Sequence, residues 1–453
     1  MPTSKSRVGA RYAAVVIAVA ALLGATLASP SALTAKRAEP EPVRFATFNA
    51  SLNRNLPGQA LTDLSESFDP SEPDLAVRAR RAQAAAVAEI IQRVRPEVLL
   101  INEFDFYEDG SAARLFRDNF LEVGQNGAQP IDYPHFFVAP SNTGIHSGFD
   151  LNNAGGVVST PLAPGYGDDA LGFGEFPGKF AMAVFSQHPI VYGHARTFQQ
   201  FKWADMPGAL LPTYPDSWPV PELRGQPWYT DAELAVLPLS SKSHWDVPIR
   251  IDNETIHFLV SHPTPPVFDG AEDRNGRRNF DEIRLWADYM AGGEGAAYIY
   301  DDQGGSGGLE PGASFVIAGD QNSDPLDGDS RPGAIQQVLD SGLVNTSVTP
   351  SSAGGPYWAE VQNELNDLHR SDPAFDTADF CDFAPRPEPP FPPCTGPGNL
   401  RADYVLPSAD LDIAGAGVFW PTADNPLVRL TGTGFPVPSS DHRLVWVDVD
   451  VGG

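Results

Sequence analysis

The chain has 453 residues, 42% of them apolar and 10% aromatic, too many for a small disulfide scaffold and too apolar for a disordered segment. Its 58 acidic against 30 basic residues leave a net charge of -28, which argues against a partner held mainly by nonspecific attraction to phosphate or anionic lipid. Only five lysines occur, Lys5, Lys36, Lys179, Lys202 and Lys242, so a lysine deep in the chain needs a reason to be there.

The N-terminus reads as an export signal: Lys5, Arg7 and Arg11, then the apolar run from Ala13 to Ala28, then small residues to Ala35. Cleavage is expected after Ala28 or Ala32, leaving 1–32 as the signal and a secreted, extracellular protein. An uncleaved membrane anchor is the other reading, although the run falls short of the roughly 20 residues a span needs. No membrane span is expected after cleavage. The only cysteines, Cys381 and Cys394, flank a Pro-rich segment. In an oxidising compartment they are expected to form one disulfide, contributing about 3 kcal/mol by loop closure.

In chain order, Val43 to Phe48 reads as a strand ending at Asn49, and Leu75 to Val94 as an Ala-rich helix stopped by Pro96. Val98 to Ile101 is a buried-type strand running into Asn102 and Glu103. Phe180 to Phe185, Ile190 to Ala195, Val247 to Ile251 and Ile256 to Val260 are expected strands, the last two joined as a hairpin across Asp252-Asn253-Glu254. Phe280 to Met290 has a helical apolar face, Ser314 to Ala318 is a strand ending at Gly319-Asp320, and Arg401 to Leu406 and Leu444 to Val449 close the series. Long Pro-, Trp- or Gly-rich connections fall at 201–230, 291–312 and 373–398. Elements spread over the whole mature chain predict one elaborated domain, 43–450.

Polar residues gather at the strand ends: Asn49, Glu103, His262, Asp320 with Asn322, and Asp441 with His442. Carboxylates such as Glu103 and Asp441 suit Mg²⁺ or Mn²⁺, with Ca²⁺ also open, because hard cations take oxygen ligands and keep positions for water and phosphate. An Asp beside such an ion can orient or deprotonate water, and a His can bind or protonate a phosphate. Taken singly each signal is weak, since an Asp or Glu past a strand is more often a cap or a solvated loop residue.

Together the stretches FATFN, LLINEFD, KFAMAVFSQHPI, HFLVSHP, FVIAGDQNSDP, LRADYVLPS and SSDHRLVWVDV resemble, in order, the endonuclease/exonuclease/phosphatase superfamily of DNase I-like metal-dependent phosphoesterases. The resemblance implies an α+β or α/β fold, a four-layer α/β/β/α sandwich with two packed, mostly antiparallel sheets. It implies Glu103 as principal metal ligand, with Asn49 completing or orienting that side of the site, and Asp441 as a further metal ligand or the orienting partner of His442. Asp320 would activate water, Asn322 would hold a phosphate oxygen, His442 would bind the phosphoryl group or move a proton, and His262 would face the leaving oxygen. Asp403 would orient a catalytic neighbour or merely tie a loop. One protonated imidazole and one ionised carboxylate predict a bell-shaped pH profile.

Two stretches depart from that pattern. Lys242 and His244 precede a strand, and Arg274, Arg277 and Arg278 follow His262. Lys242, His244, Arg277 and Arg278 are candidates for gripping substrate phosphate, set against pairing of the arginines with nearby Asp and Glu. The aromatic residues of 201–230 could stack on a ring or simply pack. The reading is a secreted metal-dependent phosphoesterase acting as a monomer on a small organic phosphate or DNA, without a stable nucleic-acid complex. An extracellular DNase-type endonuclease and a noncatalytic binding protein on the same fold are the alternatives.

Overall fold

A computed structural model describes residues 41–363, 365–381, 396–434 and 436–452. The expected signal at 1–32 and Cys394 lie outside them, so neither the signal nor the Cys381 to Cys394 pairing is described. Pro40–Gly453 is one compact unit.

Strand β1 (Val43–Asn49) pairs in parallel with β2 (Val98–Phe104), and β2 pairs antiparallel with β4 (Ala181–Ser186), which carries β3 (His135–Phe137) at the edge. On the other side of β1 lie β13 (Val445–Asp450) and β12 (Asp412–Val418), both antiparallel. The second sheet has the order β11 (Asp403–Pro407), β8 (Phe315–Asp320), β7 (Glu254–Ser261), β6 (His244–Ile251) and β5 (Arg196–Thr197). Only β7 and β8 are parallel there. A two-stranded ribbon joins β9 (Ala378–Asp379) to β10 (Asn399–Leu400).

Alternation along these strands sends successive side chains to opposite faces, so each sheet has two apolar sides to bury. Phe45, Val98, Leu100 and Val184 of the first sheet meet Val247, Phe258, Val260 and Val316 of the second. The outer face of the first sheet, with Phe48, Leu99, Ile101 and Phe185, packs on Val87, Ile90 and Ile91 of helix Leu75–Val94. The outer face of the second, with Leu259, Ile317 and Tyr404, packs on Ile283, Trp286 and Tyr289 of helix Arg274–Ala291. The result is the expected α/β/β/α sandwich.

Most elements fall where the sequence predicts them, with one correction. Ile190 to Ala195 is not a strand: Ile190 makes a single bridge to Ile249, and Tyr192–His194 is a 3-10 turn. Its apolar alternation reflects a short segment lying against the sheet edge. Strand β12 was not legible, because its composition (DIAGAGV) is dominated by Gly and Ala and gives no alternation. The aromatic residues of 201–230 pack: Trp203 is buried with its indole N–H on Asp281, and Tyr214, Trp218 and Trp228 cluster.

Candidate functional site

Strands β1, β2, β7 and β8 end together at one edge of the sandwich, and their terminal residues converge there. Glu103 sits where the β2 to β4 register shifts between Asn102 and Phe104, with a φ of 59°. A bulge at this point turns its side chain out of the alternation and toward the neighbouring strand end. A positive φ is costly for a residue with a Cβ and persists only where surrounding contacts impose it. Ser51 and Asn322, at the ends of two more segments of the site, share this conformation at φ 48° and 50°.

The Asn49 amide donates to Glu103 Oε1 at 3.2 Å and to Asp320 Oδ2 at 3.0 Å, tying the carboxylates of the two sheets together. Asn53 donates to Glu103 Oε2 at 2.9 Å. Asp441 accepts from the Ser51 hydroxyl at 3.4 Å, and that hydroxyl lies 3.2 Å from the Ser440 hydroxyl. Burial and the nearby Asp441 push the Glu103 carboxyl above its usual range, with Asp320 adding to the effect.

On the opposite side, His442 Nδ1 lies 2.8 Å from Asp403 Oδ2, while its Nε2 lies 3.6 Å from Asp320 Oδ2. Asp403 and Asp320 are direct partners across β11 and β8, which is why one imidazole reaches both. Burial disfavours the imidazolium, but Asp403 and Asp320 outweigh it and hold His442 well above the ordinary histidine value. His262 Nε2 stands 3.4 Å from the same Asp320 oxygen, its Nδ1 is buried without a partner among the described residues, and burial together with Lys242 and His442 pushes its pKa far down. The two environments therefore differ: the carboxylates around His442 favour its charged form, whereas burial beside Lys242 and His442 favours the neutral form of His262. Burial raises Asp320 to about 6. Its Oδ1 accepts the Asn322 N–H at 2.9 Å, and the Asn322 amide reaches Pro263 O at 3.1 Å.

The donor set fits a hard divalent ion. Glu103, Asp441 and Asp320 bring carboxylates together whose mutual repulsion is offset by amide and hydroxyl donors and by the imidazolium of His442. Ligand atoms of Asp320, Asp403 and His442 also come within 4.8 Å of one another. In that group His442 and Asp403 are already joined through Nδ1, and binding a metal through His442 would require the neutral imidazole. The Glu103 side is the better cation site.

The profile of the Endonuclease/Exonuclease/phosphatase family matches residues 46–442. The chain belongs to the endonuclease/exonuclease/phosphatase family. Its class of chemistry is phosphoester hydrolysis. No curated protein matched the chain. Among solved structures, the endonuclease/exonuclease/phosphatase from Beutenbergia cavernae is similar at 16% identity, covering 91% of this chain and 72% of that one with a TM-score of 0.42. A mannosyl-6-phosphatase of Bacteroides thetaiotaomicron matches at 10% identity, 90% and 99% coverage and a TM-score of 0.38. A sphingomyelinase C from Streptomyces griseocarneus matches at 12% identity with the same coverages and TM-score.

Of the departures from the family pattern, Lys242 and Arg278 line a cavity beside the site. His244 does not. It is fully buried, bonded to the Ser240 hydroxyl at 2.6 Å and Glu282 O at 2.9 Å, and burial depresses its pKa to about 3. It is a core histidine because β6 begins at His244 and turns that side chain toward Trp286. Arg277 does not line the cavity either, since it turns to Glu272 O and Asp273.

Several site residues carried no sequence signal. Asn102 bonds Thr47, donates to Ser261 O at 3.3 Å and accepts from the Asp320 N–H at 3.3 Å, so one buried amide locks β2 to β7 and β8. Thr377 donates to Asp403 Oδ2 at 2.8 Å while its hydroxyl accepts the Ala402 and Asp403 N–H groups. Thr377 lies in the Pro-rich connection, far from any motif. Asn102, next to Glu103, could have been found as a polar residue inside a buried strand, which must have partners.

Proposed function

We propose that this protein is an exported, divalent-metal-dependent hydrolase of phosphate esters. The observation that carries the reading is the convergence on Asp320 of Asn49, His262 and His442. Glu103, with Asn49 and Asp441 beside it, would hold Mg²⁺, Mn²⁺ or Ca²⁺, which when bound neutralises nonbridging phosphate oxygens. Asp320 orients the attacking water and takes its proton. Asn322 holds a phosphate oxygen. His442, positioned by Asp403, presents a cation to the phosphoryl group, and neutral His262 stabilises or hydrogen-bonds the leaving oxygen.

Export rests on the N-terminal charge, apolar run and small-residue layout, and in an oxidising compartment Cys381 and Cys394 would form a disulfide. The domain proposed is 43–450 with insertions at 201–230, 291–312 and 373–398, behind a signal at 1–32. Among the described residues no helix is long and apolar enough to cross a membrane. A metal-supplemented screen of phosphomonoesters, phosphodiesters, phospholipids and DNA tests the reading, with Asp320→Ala as blank. Turnover is expected in the parent and absent in the variant; equal turnover in both would refute the site.

A further inference from the structure

A cavity of about 520 Å³ opens beside Glu103, lined by Glu103, His262 and Lys242 together with the apolar side chains of Leu151, Phe180 and Leu237. Phe173 and Phe268, 57% and 88% exposed, mark its mouth. This size suits a compact organic group.

Lys242 is 7% exposed, and its ammonium makes one long hydrogen bond, 3.4 Å to Pro263 O. The Asn322 amide donates to that same carbonyl, which puts Lys242 beside the expected phosphate ligand. Among the described residues Lys242 forms no ion pair, although the chain carries nearly twice as many acids as bases. The carboxylate that acts on it most strongly, Glu282, is committed elsewhere: its two oxygens accept the Ser241 and Thr264 N–H groups at 2.7 and 2.6 Å. Arg278, also on the lining, is held by the carbonyls of Leu171, Pro238 and Leu239 and likewise forms no ion pair among the described residues. An ammonium has three donors, and burying it with most of them unmatched is costly unless an anion arrives.

A phosphomonoester near neutral pH carries close to two negative charges and three nonbridging oxygens, whereas a diester carries one charge and two such oxygens. We propose that the protein is a phosphomonoesterase for compact organic phosphates, with Lys242 binding the extra charge and oxygen of the monoester and the apolar cavity wall receiving the alcohol part. This rests on the phosphoesterase reading above. Water adds to phosphorus, the ester P–O bond breaks, and the alcohol leaves with a proton, giving alcohol and inorganic phosphate.

The test compares kcat/KM for p-nitrophenyl phosphate and bis-p-nitrophenyl phosphate, with Mg²⁺, Mn²⁺ or Ca²⁺, in the parent, Lys242→Met, Lys242→Arg and Phe268→Ala. The parent should favour the monoester by about 100-fold or more, a margin of the size expected from a buried charge-assisted contact. Lys242→Met should erase most of that preference by lowering monoester turnover while leaving the diester within about threefold, and Lys242→Arg should restore part of it. Phe268→Ala, at an exposed position that cannot disturb the core, should raise KM for the aryl monoester severalfold with kcat unchanged. A parent that cleaves the diester equally well, or a Lys242→Met variant that loses both activities alike, would overturn the monoester proposal and leave the phosphoesterase reading standing. Failure to cleave either ester with all three metals would overturn both.

Discussion

His442 Nδ1 lies 2.8 Å from Asp403 Oδ2, the same oxygen that accepts the Thr377 hydroxyl at 2.8 Å. This contact orients the His442 ring, favours its charged form and leaves Nε2 facing the site. Asp403 is thus a positioning residue. Asp403→Asn should keep the fold, because Thr377 and the backbone still hold the position, yet lower kcat about 10- to 100-fold. The alkaline limb of the pH profile should move to lower pH, since removing the carboxylate that raises the His442 pKa frees its proton earlier. A purely structural role would lower stability without moving that limb.

The parent profile should be bell-shaped. Asp320, raised by burial to about 6, must be ionised to take a proton from water, so activity falls as pH drops through that region. His442, held well above the ordinary imidazole value, supplies the falling limb at high pH. The kcat/KM profile of metal-saturated enzyme checks both limbs.

Glu103→Gln separates binding from folding. Burial and Asp441 raise the Glu103 carboxyl, so its charge opposes folding when no cation is present. The variant should be at least as stable as the parent in metal-free buffer by thermal melting, and should bind Mg²⁺ more than about 10-fold more weakly by calorimetry. A variant that binds metal as the parent does would move the ion elsewhere.

Much of the site was legible because its residues close β-strands: Asn49, Glu103, His262 and Asp320 all follow apolar alternation that ends in a polar residue. The bulge that turns Glu103 outward was not, since register depends on β4, a partner almost eighty residues on. His244 was a phosphate-gripping candidate in sequence but entered the core because strand β6 begins three residues earlier than expected, at His244 rather than Val247. Thr377, which acts through Asp403, carries its signal only in three dimensions, whereas Asn102 was visible as a polar residue inside a buried strand and only its partners were not.

Asn102→Leu tests the lock between the sheets. It removes the donor for Ser261 O and the acceptor for the Asp320 N–H and the Thr47 hydroxyl, all buried. The expected loss is about 2 to 4 kcal/mol, from three buried groups that lose a partner, read as a fall in the urea midpoint. A loss below about 0.5 kcal/mol would mean that the groups find other partners.

Asp376 makes the sharpest prediction about stability and pH. It is 2% exposed, its Oδ1 has no partner among the described residues, and burial with Asp324, Asp327 and Asp372 nearby pushes its pKa to about 9. A carboxyl whose folded pKa is raised contributes stability that is full below the unfolded value of about 3.9 and lost as pH rises toward about 9. Asp376→Asn should therefore stabilise the protein at pH 8 by about 1 kcal/mol or more and have little effect at pH 4. Melting curves at the two pH values give the comparison.

Metal titration tests the central claim most directly. Protein dialysed against chelator should not hydrolyse phosphate esters, should regain turnover on addition of Mg²⁺, Mn²⁺ or Ca²⁺, and should remain inactive with any of them as Asp320→Asn. Turnover in the chelated protein, or metal-restored turnover in Asp320→Asn at the parent rate, would contradict the account.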